Sequence, residues 1–269
     1  MLPVLFKIGP FTFYSFGAMV AIAFLVADRM ARADWERRGL RLDVLGWAPA
    51  AALAAGLLGA KLYFTIQHPP GSLAEALSFQ TMSSGLTWYG GLIGGALAVA
   101  YLIRRSREPF ALVADGAAPA LAASYGVGRI GCLLAGDGDY GPPSDLPWAM
   151  AFPNGTVPTN ERVHPTPAYE TLAMAGVVAV LFMLRDRVRP GRIFALYVIL
   201  TGLERFLVEF VRLNPPVAGG LSEPQLWSFV MIAVGAFLWA RPPRVPERAP
   251  RRAAHGAAAR EHAAARPKR

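Results

Sequence analysis

Three basic side chains, Lys61, Arg129 and Arg205, stand inside apolar blocks of this sequence instead of at their ends. An ionisable group within a membrane-spanning helix costs about 2.5–3.5 kcal/mol on insertion scales, so it marks either a functional site or a charge compensated by a neighbour. A long basic side chain near a helix end can also snorkel to the surface. Arg205, Glu209 and Arg212 are spaced i, i+4, i+7, which puts them on one stripe of a helix. Two readings fit that stripe. One is a self-satisfied Arg–Glu–Arg ladder. In the other, Glu209 orients the arginines toward an anionic ligand, for which the planar guanidinium fork matches phosphate oxygens. The residues for other chemistries are missing: there is no His/Cys cluster with zinc spacing, no phosphate-binding P-loop and no nucleophile elbow. The single cysteine, Cys132, excludes an internal disulfide, and in an apolar helix it reads more readily as a small packing residue than as a nucleophile. No metal or other cofactor is expected.

The elements that carry these residues follow from composition. Of the 269 residues 54% are hydrophobic and only 17% charged, too apolar for an ordinary soluble domain of this size. The apolar residues come in blocks of about twenty, the length that crosses ~30 Å of hydrocarbon as a helix. Barrel strands would alternate polar and apolar positions over ~10 residues, and these blocks do not alternate. The expectation is an all-α polytopic membrane protein, with about seven transmembrane helices around a polar cavity open to the outer leaflet. The spans fall near residues 11–27, 44–66, 86–103, 112–134, 168–184, 193–211 and 225–240. Residues 135–167, rich in Gly, Pro, Asp and Asn, form a small periplasmic segment. Residues 1–240 make one domain, and 241–269, rich in Ala, Pro and Arg, a disordered cytoplasmic tail placed to touch anionic lipid.

Basic residues test that span count. Segments 28–43, 104–107, 185–192 and the tail from Arg241 hold five, three, four and nine Arg or Lys, while 67–85 holds none. All four basic segments fall on one side only with seven spans, and the positive-inside rule makes that side the cytoplasm and leaves the N-terminus in the periplasm. The net charge of +9 is thereby explained by topology, and no nucleic-acid partner is expected. No basic n-region precedes the first apolar run, which argues against a cleaved secretory signal. With this topology Lys61, Arg129, Arg205, the Tyr89-Gly90-Gly91 start of the third span and the His164 to Glu170 start of the fifth all lie at one depth, near the outer leaflet. The glycine runs at 90–95 and 126–131 suit close helix packing.

Six stretches resemble bacterial prolipoprotein diacylglyceryl transferases, in the family's order. They are Phe6-Lys7-Ile8-Gly9-Pro10, Gly59-Ala60-Lys61-Leu62-Tyr63-Phe64, Tyr89-Gly90-Gly91-Leu92-Ile93-Gly94, Gly128-Arg129-Ile130-Gly131, His164-Pro165-Thr166-Pro167-Ala168-Tyr169-Glu170 and Arg205 to Arg212. The resemblance implies an enzyme of the bacterial inner membrane that moves the diacylglyceryl group of phosphatidylglycerol onto the lipobox cysteine thiol of a prolipoprotein, releasing glycerol phosphate. It implies that Arg129 and Arg205 hold the phosphate and stabilise the leaving charge. Tyr89 and His164 join them as catalytic candidates, and Lys61, Asp137, Glu209, Arg212, Glu170, Gly90 and Gly91 as substrate-binding candidates. The thiol comes from the peptide, so a nearby base should assist it. The sequence departs from the family's pattern where His is usual at Tyr89, Asn at Cys132 and Ala135, Glu at Asp137, Tyr at Phe16 and Arg at Lys61. Asp137, His164 and Glu204 are the substitute bases these departures point to. A non-enzymatic lipid-binding or transport protein, or another head-group transferase, would fit the same scaffold.

Overall fold

The computed structural model describes residues 1–9, 11–69 and 87–242. The predicted tail beyond residue 242 and most of the basic-free loop lie outside these. Among the described residues the long elements are helices: α1 (Ser15–Arg37), α3 (Ala48–Gln67), α4 (Trp88–Ser106), α5 (Phe110–Ala135), α6 (Thr166–Leu184), α7 (Arg192–Val208) and α8 (Glu223–Ala240). A short α2 (Leu42–Leu45) leads into α3. Three two-stranded antiparallel hairpins complete the list, β1 (Val4–Ile8) with β2 (Phe11–Tyr14), β3 (Met150–Phe152) with β4 (Thr159–Val163), and β5 (Pro216–Ala218) with β6 (Leu221–Ser222).

Four stretches are long and apolar enough to cross a membrane by length and composition: Leu42–Gln67, Phe110–Ala135, Thr166–Leu184 and Glu223–Ala240. Large apolar side chains such as Leu58, Leu97, Leu172 and Phe237 point outward along the helices, as lipid-facing residues would. The packed pairs α3–α4, α5–α6 and α7–α8 run antiparallel. Tyr125 near the end of α5 meets Glu170 at the start of α6, Gly126 lies against Met174, and Gly202 of α7 lies against Ser228 and Met231 of α8. Between α3 and α4 the packing is backbone on backbone. Gly59 and Gly90 face one another so closely that a Cβ on either would strike the other's carbonyl.

Two of the expected spans have corrected boundaries. The first apolar block begins as a strand, because Val4–Ile8 and Phe11–Tyr14 are β-branched and aromatic runs hinged at Gly9, whose φ of +56° makes the turn. Helix α1 then continues ten residues past Ala27. No Gly or Pro interrupts it before Gly39, and Asp28–Arg32 (2.7 Å), Asp34–Arg37 (2.8 Å) and Asp34–Arg38 (2.6 Å) support its charged last turns. The sixth block ends as a helix at Val208. Glu209–Val211 tightens to a 3-10 turn and Arg212 is extended (φ −115°, ψ 164°), because the chain must leave toward Pro215-Pro216.

The two ends of the bundle are closed by separate ionic clusters. At one end buried Asp34 of α1 meets Arg37, Arg38 and Arg185, and buried Asp115 of α5 accepts hydrogen bonds from the Gly191 and Phe194 amides at the start of α7 (2.6 and 2.9 Å). Trp35 Nε1 donates to the Val113 carbonyl (2.9 Å), tying α1 to α5 there. The other end carries the second cluster and the 135–167 segment folded over it.

Candidate functional site

Glu170 is the centre of that second cluster. It stands in the first turns of α6, set by the His-Pro-Thr-Pro run that starts the helix, and it is fully buried (0% exposed). Its Oε1 accepts hydrogen bonds from the Tyr125 hydroxyl (3.0 Å) and from Arg205 Nη1 (3.3 Å). Its Oε2 is held by ion pairing, 3.0 Å from Arg129 Nε and 3.5 Å from Arg212 Nη1. Three helices and the segment after α7 therefore converge on one carboxylate.

Arg129 spends each end of its guanidinium on a different partner. Nε faces Glu170, Nη2 donates to the Tyr125 hydroxyl (3.0 Å), and Nη1 pairs with Asp139 and lies 3.7 Å from Cys132 Sγ. Tyr125 sits one helical turn before Arg129, and its ring lies 5.0 Å beneath the guanidinium. Arg205 Nη2 pairs with Glu209 (2.9 Å), whose other oxygen accepts from Ser222 Oγ (2.9 Å) and from Asn214 Nδ2. Ser222 also caps α8 in a reciprocal box with Gln225, so the start of α8 orients the carboxylate that orients Arg205.

Asp139 bridges Arg129 through one carboxyl oxygen and Arg212 through the other. It is brought there by a reversal after α5, where Gly136 (φ +58°) ends the helix with its amide donating to the Cys132 carbonyl (2.9 Å) and Gly138 (φ +94°) turns the chain. Burial works to raise the Asp139 carboxyl's pKa, but the Arg212 and Arg129 guanidiniums outweigh it and hold it below the ordinary carboxylate range. Asp139 is also the most open carboxylate of the cluster, with 32% of its side chain exposed. Three guanidiniums, Arg129, Arg205 and Arg212, thus face three carboxylates, Asp139, Glu170 and Glu209.

Of the residues expected from sequence, Arg129, Arg205, Glu170, Glu209 and Arg212 are brought together. The one-stripe picture of the sixth span is corrected: the backbone leaves the α-helix at Glu209, yet Arg212 Nε still lies 3.9 Å from Glu209 because the 3-10 turn folds it back. Asp137 lies beside the cluster, accepting from the Asp139 amide (3.3 Å), with its carboxylate, that of Asp139 and the Cys132 thiol within 4.8 Å of one another. His164 is part of the head. Its Nδ1 lies 3.2 Å from the Tyr169 hydroxyl, which accepts a hydrogen bond from Trp148 Nε1 (2.9 Å), and its backbone pairs with Gly141 and Pro142. Lys61 and Tyr89 belong to the α3–α4 pair, with the Lys61 ammonium 5.3 Å from the Phe64 ring and Tyr89 60% exposed. Gly90 and Gly91 are turned onto α3, where the Gly59 and Gly56 carbonyls meet them.

Tyr125, Asp139, Asn214 and Ser222 were not expected. Tyr125 had a signal, its i, i+4 spacing to Arg129. The others reach the cluster only through loops.

Fold and site together define an α-helical membrane protein with a charge-balanced arginine centre at one end of its bundle, under a small loop head. The chain belongs to the prolipoprotein diacylglyceryl transferase family, whose model matches residues 3–241. It is 32% identical over 244 residues to the phosphatidylglycerol–prolipoprotein diacylglyceryl transferase of Clostridium tetani, covering 89% of this chain and 97% of that relative. It is 34% identical over 248 residues to the enzyme of the same name from Geobacter sulfurreducens, covering 87% and 92%. A third, from Pseudomonas fluorescens, is 31% identical over 254 residues, covering 88% and 92%. The family read from the six sequence motifs is the family found.

Proposed function

We propose that this protein transfers the diacylglyceryl group of phosphatidylglycerol to the lipobox cysteine thiol of a prolipoprotein. Family membership supports the reaction, and the single structural observation that carries it is the convergence of Arg129, Arg205 and Arg212 on Glu170. Guanidiniums fixed by a buried carboxylate are preorganised donors for the phosphate and for the charge that develops on leaving glycerol phosphate. The phosphate enters by exchanging with Asp139, the one carboxylate that straddles two arginines and is substantially exposed. Of the remaining sequence candidates, Lys61 and Tyr89 stand on α3 and α4 as outer-leaflet contacts for lipid, and His164 holds the head that covers the site.

All seven long helices cross the membrane in this reading, including α1, α4 and α7. Helix α7 has 17 residues and carries Glu204 and Arg205 near its end. The arginine cluster faces the outer leaflet of the bacterial inner membrane, and the Asp34 cluster, with its excess of arginine, faces the cytoplasm. The N-terminus is then periplasmic and the C-terminus cytoplasmic, with 135–167 as the periplasmic head and the residues past 240 as a basic tail.

The direct experiment is thioether formation by the purified protein on a lipobox peptide with phosphatidylglycerol in mixed micelles. Product with release of glycerol phosphate is expected, and its absence from folded protein would reject the reaction. Asp139→Asn removes the resident anion. Product inhibition by glycerol phosphate is expected to tighten several-fold, measured as a lower Ki. Because the folded carboxyl has a lowered pKa, its stabilising pairings are present above the usual carboxylate range, near pH 4, and lost as pH falls through the lower folded value. Asp139→Asn should therefore also flatten the acid limb of thermal stability.

A further inference from the structure

Helix α7 has a second functional face. Leu200, Leu203, Glu204, Leu207 and Val208, with Val211 of the turn that follows, line an open cavity of about 390 Å³, flanked on the other side by Tyr169 and Ala173 of α6. The spacing is that of a single helical stripe, and Glu204 sits in the middle of it. Every other group in the lining is apolar except the Tyr169 hydroxyl. Glu204 Oε1 is buried there without a hydrogen-bond partner, and the carboxyl makes no ion pair among the described residues. Buried carboxylates elsewhere in this bundle, Asp34, Asp115, Glu170 and Glu209, are all paired. An unpaired buried acceptor is costly, so it calls for a donor that arrives with a ligand.

The cavity adjoins the arginine centre. Glu204 precedes Arg205 on α7 and Tyr169 precedes Glu170 on α6, so each helix turns one residue into the cavity and the next into the ionic cluster. The charged groups around Glu204 are Glu170 from α6, Arg129 from α5, Arg205 on its own helix and Arg212 beyond it. Helix α8 offers no titratable side chain except Glu223 at its first position. A phosphate is repelled by the Glu204 carboxylate and drawn to the arginines. The ligand that suits the cavity is apolar and carries one hydrogen-bond donor.

We propose that this cavity seats the thiol-bearing apolar segment of the acceptor peptide and that Glu204 takes the proton of its thiol. The inference rests on the transferase reading above and assigns the base within it. The S–H proton passes to the Glu204 carboxylate. The sulfur electron pair forms the C–S bond to the glyceryl carbon as its C–O bond to phosphate breaks, and the departing pair stays on glycerol phosphate beside Arg129 and Arg205. The proton on Glu204 then returns to water. A positioned general base of this kind contributes about 10²–10⁴-fold.

The test uses the purified full-length protein with phosphatidylglycerol micelles and two lipobox peptides, one with cysteine and one with selenocysteine, whose selenol ionises without help at neutral pH. Glu204→Gln should lower kcat with the cysteine peptide by about 10²–10⁴-fold, leave KM for phosphatidylglycerol unchanged, and match the wild type on the selenocysteine peptide. Ala173→Phe, which fills the cavity from the α6 side, should raise KM for the peptide and not for the lipid. A wild-type rate in Glu204→Gln, a loss that selenocysteine does not relieve, or an unchanged peptide KM in Ala173→Phe overturns the assignment. Wild-type protein that makes no thioether overturns the transferase reading instead, which keeps the two failures apart.

Discussion

Arg129→Ala is expected to lower thioether formation at least 10³-fold while the protein still folds. One preorganised donor to a developing oxyanion is worth about 10²–10³ in rate, and an arginine on a transferring phosphate group about 10³–10⁵. Arg129 stands at the upper part of that range because its three nitrogens are fixed by three different partners, Glu170, Tyr125 and Asp139. The loss should fall on kcat as well as KM, since the charge to be stabilised is greatest on the leaving group. Arg129→Lys should fail almost as badly. A single ammonium keeps the charge but cannot satisfy a carboxylate, a phenol and a phosphate in one plane. Folding survives because Arg205 and Arg212 still compensate Glu170. The measurement is steady-state turnover alongside thermal melting in the same detergent, and full activity with alanine at 129 would remove the mechanism proposed here.

Glu170→Gln should be the most destabilising single change at this end of the molecule. The amide fills the same volume, so the loss isolates charge. Removing one partner of a buried pair costs about 3–5 kcal/mol, because the other charge stays behind uncompensated. Here one carboxylate serves three guanidiniums and the Tyr125 hydroxyl, which reach it from α5, α7 and the segment after α7. The guanidiniums are partly exposed, at 10–23%, and water can screen some of the excess, which puts the expected loss toward the lower end of that range. Melting temperature and detergent-denaturation midpoint report it directly. An unshifted melt would mean that the arginines are held by something other than Glu170.

These two expectations separate the ways in which one cluster serves fold and chemistry. Glu170 and Glu209 are buried and hold the arginines apart at fixed angles. Asp139 is more exposed and enters from a loop, so it is the member that can yield its place to a phosphate. Tyr125 locks the plane of Arg129. The Asp34 and Asp115 cluster at the opposite end does comparable structural work for α1, α6 and α7, with Asp115 meeting the orphan amides of the α7 N-terminus.

Much of the helical architecture is legible in the sequence. Blocks of about twenty apolar residues read as helices because a bilayer offers the backbone no partners, and the described residues form helices there. The charges within blocks stood out because their cost demands a reason, so Arg129, Arg205, Glu209 and Arg212 were named from the sequence. The N-terminal hairpin was not, since Phe11–Tyr14 is as apolar as the helix that follows, and hydropathy does not distinguish a strand from a helix over four residues. The extension of α1 to Arg37 was missed for the opposite reason. Its charges read as a loop, while i, i+4 pairing and the packing of Trp35 make them a helix.

The sequence by itself therefore determined the class of the protein, its family, and which arginines are expensive enough to matter. The tertiary structure decided how those arginines are compensated and what else they meet. The Asp139 bridge depends on a turn whose path is set by Gly136 and Gly138, and the Ser222–Glu209 contact on how α8 returns to α7. The Glu204 cavity depends on which face of α7 the α6 helix leaves uncovered. Periodicity fixes the angle of a side chain about its own helix. Only packing fixes the distance and rotation between helices, and a charge in a low-dielectric interior is governed by the partners found at that distance.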